Sequence, residues 1–339
     1  MKIGLKSAVL GAVALGLSVS AGVAGAQKPY HVEAKWSVAG DGSWDYLTVD
    51  SAAQRLYVAH ATKVDVVDLT TGKTLGSIAG LNHCHGVVIA PDSKTGFISD
   101  GGSNQVVVFD PATFAVVSKI PTGGNPDGMV YEPVTESLWV FNGSTKNATV
   151  VDVAQRKAVG TVVLPGRPEF PAADGTGTIF VNLEDKNAIA RVDAKSQKVT
   201  ATWPLTGCEA PSGLAFDKAG SRLFSVCDGK KMAVTDAKTG KSLATPTIGD
   251  EPDAAGYDAK NELVFSSNGD GTLTVIDAGK AGYPVVQTLP TQKGARTMAF
   301  DEATGKIYLA TARPGKLAPG AKRAAPVPGS FTVLVAGRD

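Results

Sequence analysis

The sequence predicts an all-β fold, a seven-bladed β-propeller with four antiparallel strands per blade. Three observations predict it. Short runs of β-branched and aromatic residues, bounded by Gly, Asp, Asn or Thr, fill almost the whole chain, which is how short antiparallel strands look in sequence. Aligning the second strand of each unit on Tyr57, Phe97, Trp139, Phe180, Phe224, Val264 and Tyr308 brings one first-strand position into register. It falls at Asp45, His85, Asp127, Glu169, Ser212, Asp253 and Arg296, at intervals of 40, 42, 42, 43, 41 and 43 residues. Four strands in a period of about 40 to 45 residues mark a propeller blade. Finally, the third strand ends on Asp68, Asp110, Asp152, Asp193, Asp236 and Asp277 in six copies, where an Asp folds onto nearby backbone N–H groups to set the next turn.

The elements follow in order. Lys2 and Lys6, the small and apolar run from Ser7 to Ser20, and Ala24-Gly25-Ala26 read as a signal peptide over residues 1–26. Export to a bacterial periplasm and cleavage near Ala26 are expected. A transmembrane anchor is the weaker alternative, because the run is too short and too rich in Gly, Ala and Ser for a span of about 20 apolar residues. No later segment is apolar enough to cross a membrane. Residues 27–339 are expected to form a single propeller domain.

Residues 30–38 alternate like a strand but precede the first full copy, and the last copy stops after three strands. The N-terminal strand is therefore expected to complete the last blade and close the ring. The blades are expected near 44–80, 83–122, 125–164, 167–205, 208–248, 251–290 and 293–339. The last carries an insertion, 313–328, with basic residues Arg313, Lys316, Lys322 and Arg323. It is expected to leave the face that holds the second-strand exits.

The chain has 33 Lys and Arg against 32 Asp and Glu, a formal charge of +1. Without the leader, which holds two lysines and no acid, it is −1. This balance argues against a broad phosphate-binding surface, and aromatic platforms for single-stranded nucleic acid are few. A monomer is expected. Of three cysteines, Cys208 enters the first strand of the fifth copy and Cys227 leaves its second, so antiparallel pairing brings them together as a disulfide. Cys84 is left over, either a small buried residue or a reactive one.

The repeated strand, turn, strand and Asp-x-x-Thr-Gly-Lys arrangement, cleanest at Asp236-Ala237-Lys238-Thr239-Gly240-Lys241, resembles the YVTN-type repeat of exported seven-bladed propellers, the YncE-like family. Asn125-Pro126-Asp127-Gly128 and Gly294-Ala295-Arg296-Thr297-Met298 are similar further stretches. The resemblance covers essentially all of residues 27–339. It implies an exported propeller with a binding role rather than one reaction. Related propeller architectures include lactonases, lyases and cofactor-bearing oxidoreductase domains, and fold alone does not choose among them.

First strands line the central channel of a propeller, so the register positions are expected to gather at one mouth. A wider ring is expected from the second-strand exits His60, Asp100, Asn142, Leu183, Cys227, Ser267 and Thr311. His60, His83 and His85 are expected to converge with Asp45, and imidazole with carboxylate suits a divalent transition metal. The alternative is that His85 only hydrogen-bonds a water or Asp45. Opposite stand Arg167, Glu169, Glu209, Glu251, Asp253 and Arg296, which either orient an anionic or hydroxylated small molecule or neutralise one another.

Two functions remain open from sequence. One is an exported binding propeller presenting Asp45, His60, His83, His85, Asp127, Arg167, Glu169, Glu209, Asp253 and Arg296 to a small molecule, metal or protein partner. The other is a lactonase or lyase with His85 or His60 as base, Glu169 or Asp127 as metal ligand or acid, and Arg296 or Arg167 as anion clamp. No haem-attachment, nucleophile-elbow, Walker or dinucleotide motif occurs.

Overall fold

The computed structural model describes residues 1, 4, 28–91, 94–317 and 324–338. Apart from Met1 and Gly4, the expected leader with its cleavage point lies outside the described residues, as do Lys322 and Arg323 of the insertion.

Seven four-stranded antiparallel sheets make up the described chain. In six of them the strands pair in sequence order, each blade running inner to outer. The innermost strands are Leu47–Asp50, Cys84–Ile89, Pro126–Glu132, Pro168–Ala173, Leu214–Asp217, Pro252–Asp258 and Thr297–Asp301. Each lies beside its neighbours' innermost strands, and the first lies beside the last, so the ring closes. No helix among the described residues is long and apolar enough to cross a membrane.

Alternation in each strand sends side chains into both neighbouring seams. Seven hydrophobic clusters result, each shared by two successive blades. The residues used to align the repeats are the knobs of these seams: Tyr57, Phe97, Trp139, Phe224 and Val264 have no exposed surface, and Phe180 and Tyr308 have 2% or less. Burying one such side chain contributes about 1.5–3 kcal/mol.

Closure follows the expected route. His31–Ser37 pairs antiparallel with Thr332–Gly337, with Trp36 opposite Val333, as the outermost strand of the last blade. Val38 N–H donates to Phe331 O at 3.2 Å. A strand far away in sequence thus covers what would otherwise be an open sheet edge.

The turn aspartates act as expected. Asp68 and Asp236 each accept two backbone N–H bonds from the next three residues, and Asp110, Asp152, Asp193 and Asp277 accept one each. In two copies the Gly of that turn has a second role. Gly72 (φ 70°) and Gly240 (φ 73°) are left-handed, and a Cβ there would stand 2.3 Å from the indoles of Trp36 and Trp203. The Trp of the preceding blade's outer strand lies flat over the glycine.

Cys208 and Cys227 form the expected disulfide, with Cα atoms 5.3 Å apart. Cys84 is buried, and its Sγ–H donates to Lys63 O. Burial pushes its thiol up to about 12, which makes it an inert packing residue. The insertion leaves the mouth face as a hairpin stem, with Val327 N–H donating to Arg313 O and Gly315 N–H to Ala325 O.

Candidate functional site

The register residues reach the axis because the inner strands are interrupted where they sit. Pairing with the second strand skips between Cys84 and Val87, Pro126 and Met129, Pro168 and Pro171, and Pro252 and Ala254. His85, Asp127, Glu169 and Asp253 lie in those bulges, free of the ladder and re-aimed toward the channel. Two residues upstream, His83, Asn125 and Glu251 are left-handed (φ 56°, 54° and 52°). Their carbonyls accept from Gly101, Gly143 and Gly269 N–H at 3.1, 2.9 and 2.8 Å, which holds each sharp entry in place.

The position after the register residue sets how tightly the ring closes. It is Tyr46, Gly86, Gly128, Phe170, Gly213, Ala254 and Thr297. A Cβ at Gly128 would lie 2.7 Å from Glu169 O, and one at Gly213 would lie 2.7 Å from Ala254 Cα. Only glycine lets adjacent inner strands approach that closely. Tyr46 and Phe170 fill the space so left and meet edge-on, with ring centroids 5.1 Å apart. They form an aromatic floor beneath the charged mouth.

Above that floor, His85 Nδ1 is 2.6 Å from Asp45 Oδ2 and 3.6 Å from Asp127 Oδ1. His85 and Asp127 are each 7% exposed, whereas Asp45 is half-buried at the mouth. Burial disfavours the imidazolium. The hydrogen bond to Asp45 and the charges of Asp127 and Asp45 outweigh it, raising His85 to about 9. Burial likewise raises the Asp127 carboxyl, although His85 and a hydrogen bond from Tyr46 oppose it. The Tyr46 hydroxyl, buried and facing Asp127, Glu169, Asp45 and Asp253, is raised well above its ordinary value. Glu169 is raised by burial and by Asp127 and Glu184, against Arg167.

The two arginines are engaged. Arg296 pairs with Asp253 at 2.8 Å, and Arg167 bridges Glu169 at 3.1 Å and Glu184 at 2.8 Å. Both remain partly exposed, Arg167 more so. The mouth therefore presents ion pairs at its edge and an acid-rich centre around one imidazolium.

The expected histidine convergence is corrected. His60 is buried inside the first blade, its Nδ1 2.9 Å from Asp65 and its ring on Phe331, because the strand-exit position faces the seam rather than the channel. The other exits are buried for the same reason. Asp100 accepts from Asn82 N–H and Gln105 Nε2, and Asn142 donates to Asn147 and Thr149. His83 precedes the strand, so strand alternation does not place it beside His85. Its exposed ring meets that of His85 edge-on at 4.7 Å. Asp127, expected as a ligand-binding residue and as a metal ligand or acid of an enzyme, stands beside His85 and Asp45 in place of His60. Glu209 lies exposed next to the disulfide, its backbone bridged to Asp228. The raised pKa of His85 favours the imidazolium, which donates a proton rather than accepting one. Sequence reasoning missed the floor, although its signal was present: two aromatics flanking two glycines in one register row.

The fold and this axial site define a seven-bladed β-propeller protein with a charged channel mouth. The chain is 25% identical over 221 residues to the uncharacterised protein YncE of Escherichia coli O157:H7 and to that of strain K12. The match takes in 62% of this chain and 57% of YncE, so it spans little more than half the length of these curated relatives. No protein-family model matches. Among solved structures, hydrazine synthase of Kuenenia stuttgartiensis superposes with a TM-score of 0.72 at 16% identity, over 80% of this chain and 94% of its own. The RRP9 WD40 repeats superpose with a TM-score of 0.77 at 12% identity, over 92% and 99%. At such identities the likeness shows the propeller fold alone.

Proposed function

We propose that the protein is an exported, YncE-like binding propeller of the YVTN-repeat kind, whose ligand seats in the channel mouth. The observation that carries this is the ring itself. Six of the seven register positions hold ionisable residues, in bulges or strand entries that turn them inward, above the Tyr46–Phe170 contact. A repeat with no axial ligand has no need of such polarity at its most crowded radius. Arg296 and Arg167 at the edge suit a carboxylate, and the acids suit hydroxyls or a cation, so the ligand class is a small polar molecule such as a hydroxy acid or sugar acid.

The test is a thermal-shift panel of hydroxy acids and sugar acids on the wild type and on Arg296→Ala and Arg167→Ala. A stabilising compound whose effect disappears in these variants supports the mouth. A panel that stabilises all three proteins equally, or none, refutes it. Export is checked separately by N-terminal sequencing of protein from the periplasmic fraction, where a start near Gln27 is expected and an intact Met1 counts against it.

A second function, a lactonase or lyase, draws on one observation. Burial and the charge of Asp127 raise the Glu169 carboxyl, the direction that suits a general acid. Turnover of any panel lactone that is lost in Glu169→Gln would favour it over simple binding.

A further inference from the structure

We propose that Asp45, His85 and Asp127 form a site for one divalent first-row transition-metal ion, bound through His85 Nδ1 and one carboxylate oxygen from each aspartate. The site presupposes the mouth as the ligand-binding region and names one occupant of it.

Three observations converge. Asp45, His85 and Asp127 come from three successive blades, and their donor atoms all lie within 4.8 Å of one another. An ion bonded to nitrogen and oxygen at about 2.0–2.2 Å holds neighbouring donors about 3 Å apart. The observed separations of 2.6 Å and 3.6 Å bracket that spacing, so shifts below an ångström suffice. Charge points the same way. One imidazole faces two aspartates, while Arg296 and Arg167 are bound to Asp253, Glu169 and Glu184. Two carboxylates with a neutral imidazole carry −2, which one divalent ion brings to zero. On entry of the ion the His85–Asp45 hydrogen bond is given up and its proton leaves to solvent.

The surroundings fit as well. Asp127 is oriented by the Tyr46 hydroxyl, the kind of outer contact that positions metal-binding carboxylates. The other ring nitrogen of His85, Nε2, is buried without a hydrogen-bonding partner. It faces Gly101, where a Cβ would stand 2.6 Å from Nε2 and 2.9 Å from the Asn125 side-chain oxygen. That leaves Nδ1 as the nitrogen turned to the carboxylates. Asp45, half-buried at the mouth, gives the ion a way in. One nitrogen and two oxygens favour Zn2+ or Mn2+ over Mg2+ and Ca2+, which take oxygen alone.

The test is calorimetric titration of chelator-treated full-length protein with Zn2+ and Mn2+, each metal alone, alongside Mg2+ and Ca2+. One ion per chain is expected. Affinity should fall at least about tenfold in His85→Gln, Asp127→Asn and Asp45→Asn, and Zn2+ should raise the Tm of the wild type but not of Asp127→Asn. His83→Gln should bind as the wild type does. No binding, binding unchanged in the three donor variants, or a loss in His83→Gln equal to that in His85→Gln overturns the site. Far-UV circular dichroism confirms that each near-isosteric variant is folded. The failure is separable from that of the mouth, because the hydroxy-acid panel reads Arg296 and Arg167, which bind no metal in this scheme.

Discussion

Tyr46 of the first blade meets Phe170 of the fourth edge-on across the channel axis, with ring centroids 5.1 Å apart. Blades nearly opposite one another touch here, with Gly86 and Gly128 in the same register row between them. A Cβ at Gly86 would already lie 3.4 Å from the Tyr46 ring. The pair lies at the base of the charged mouth. Its upper edge is the Tyr46 hydroxyl, bonded to Asp127.

Phe170→Ala should therefore lower stability by about 2–3 kcal/mol in urea unfolding, below the cost for a fully buried Phe because the ring is only half-buried. It should also speed amide exchange along Pro168–Ala173. An unchanged midpoint would mean that the aromatic pair contributes no packing.

Gly240→Ala should cost more than an exposed turn substitution usually does. The residue adopts φ 73°, a conformation that costs an L-residue about 1–2 kcal/mol, and its new methyl would meet the Trp203 indole. Unfolding of Gly240→Ala and of the double variant Gly240→Ala with Trp203→Ala separates these effects. The double variant should cost less than the two single changes added together, since the clash disappears with the indole.

The buried Glu169 carboxyl gives a pH dependence with a definite sign. Its folded-state pKa is raised, first by burial and then by Asp127 and Glu184, so the folded chain binds the proton more tightly than the unfolded chain does. Stability is then full below the ordinary carboxylate value and declines as pH rises from there toward the raised value. Glu169→Gln, measured in chelator, should be nearly neutral at about pH 4 and more stable than wild type at about pH 8 by about 1 kcal/mol or more. Parallel curves for the two proteins would refute the buried-acid assignment.

The disulfide closes a loop with a sequence separation of 19, which corresponds to about 3 kcal/mol of stabilisation. Cys208→Ser should lower the urea midpoint accordingly. Thiol titration of the oxidised protein should find none reactive in the native state and one, Cys84, in denaturant. Two or more reactive thiols before reduction would contradict the pairing.

The repeat was legible in the chain because a blade is local. Its strands, its turn aspartates and its knobs such as Trp139 recur at a fixed interval, and period-two burial is written directly in the residues. The ring closure was legible as well, since one strand too many at the start matches one too few at the end. The register ring was found by the same counting. Which way each member faces was decided by the tertiary structure. His60 and His85 look equivalent as histidines near the mouth, yet a strand exit turns His60 to Asp65, while a bulge turns His85 to Asp45 and Asp127. A bulge and a left-handed entry residue such as His83 depend on how neighbouring blades pack, and that packing joins residues about 40 positions apart or more, beyond the reach of any local pattern. The contact of Tyr46 with Phe170 is the extreme case: it exists only once seven blades share an axis.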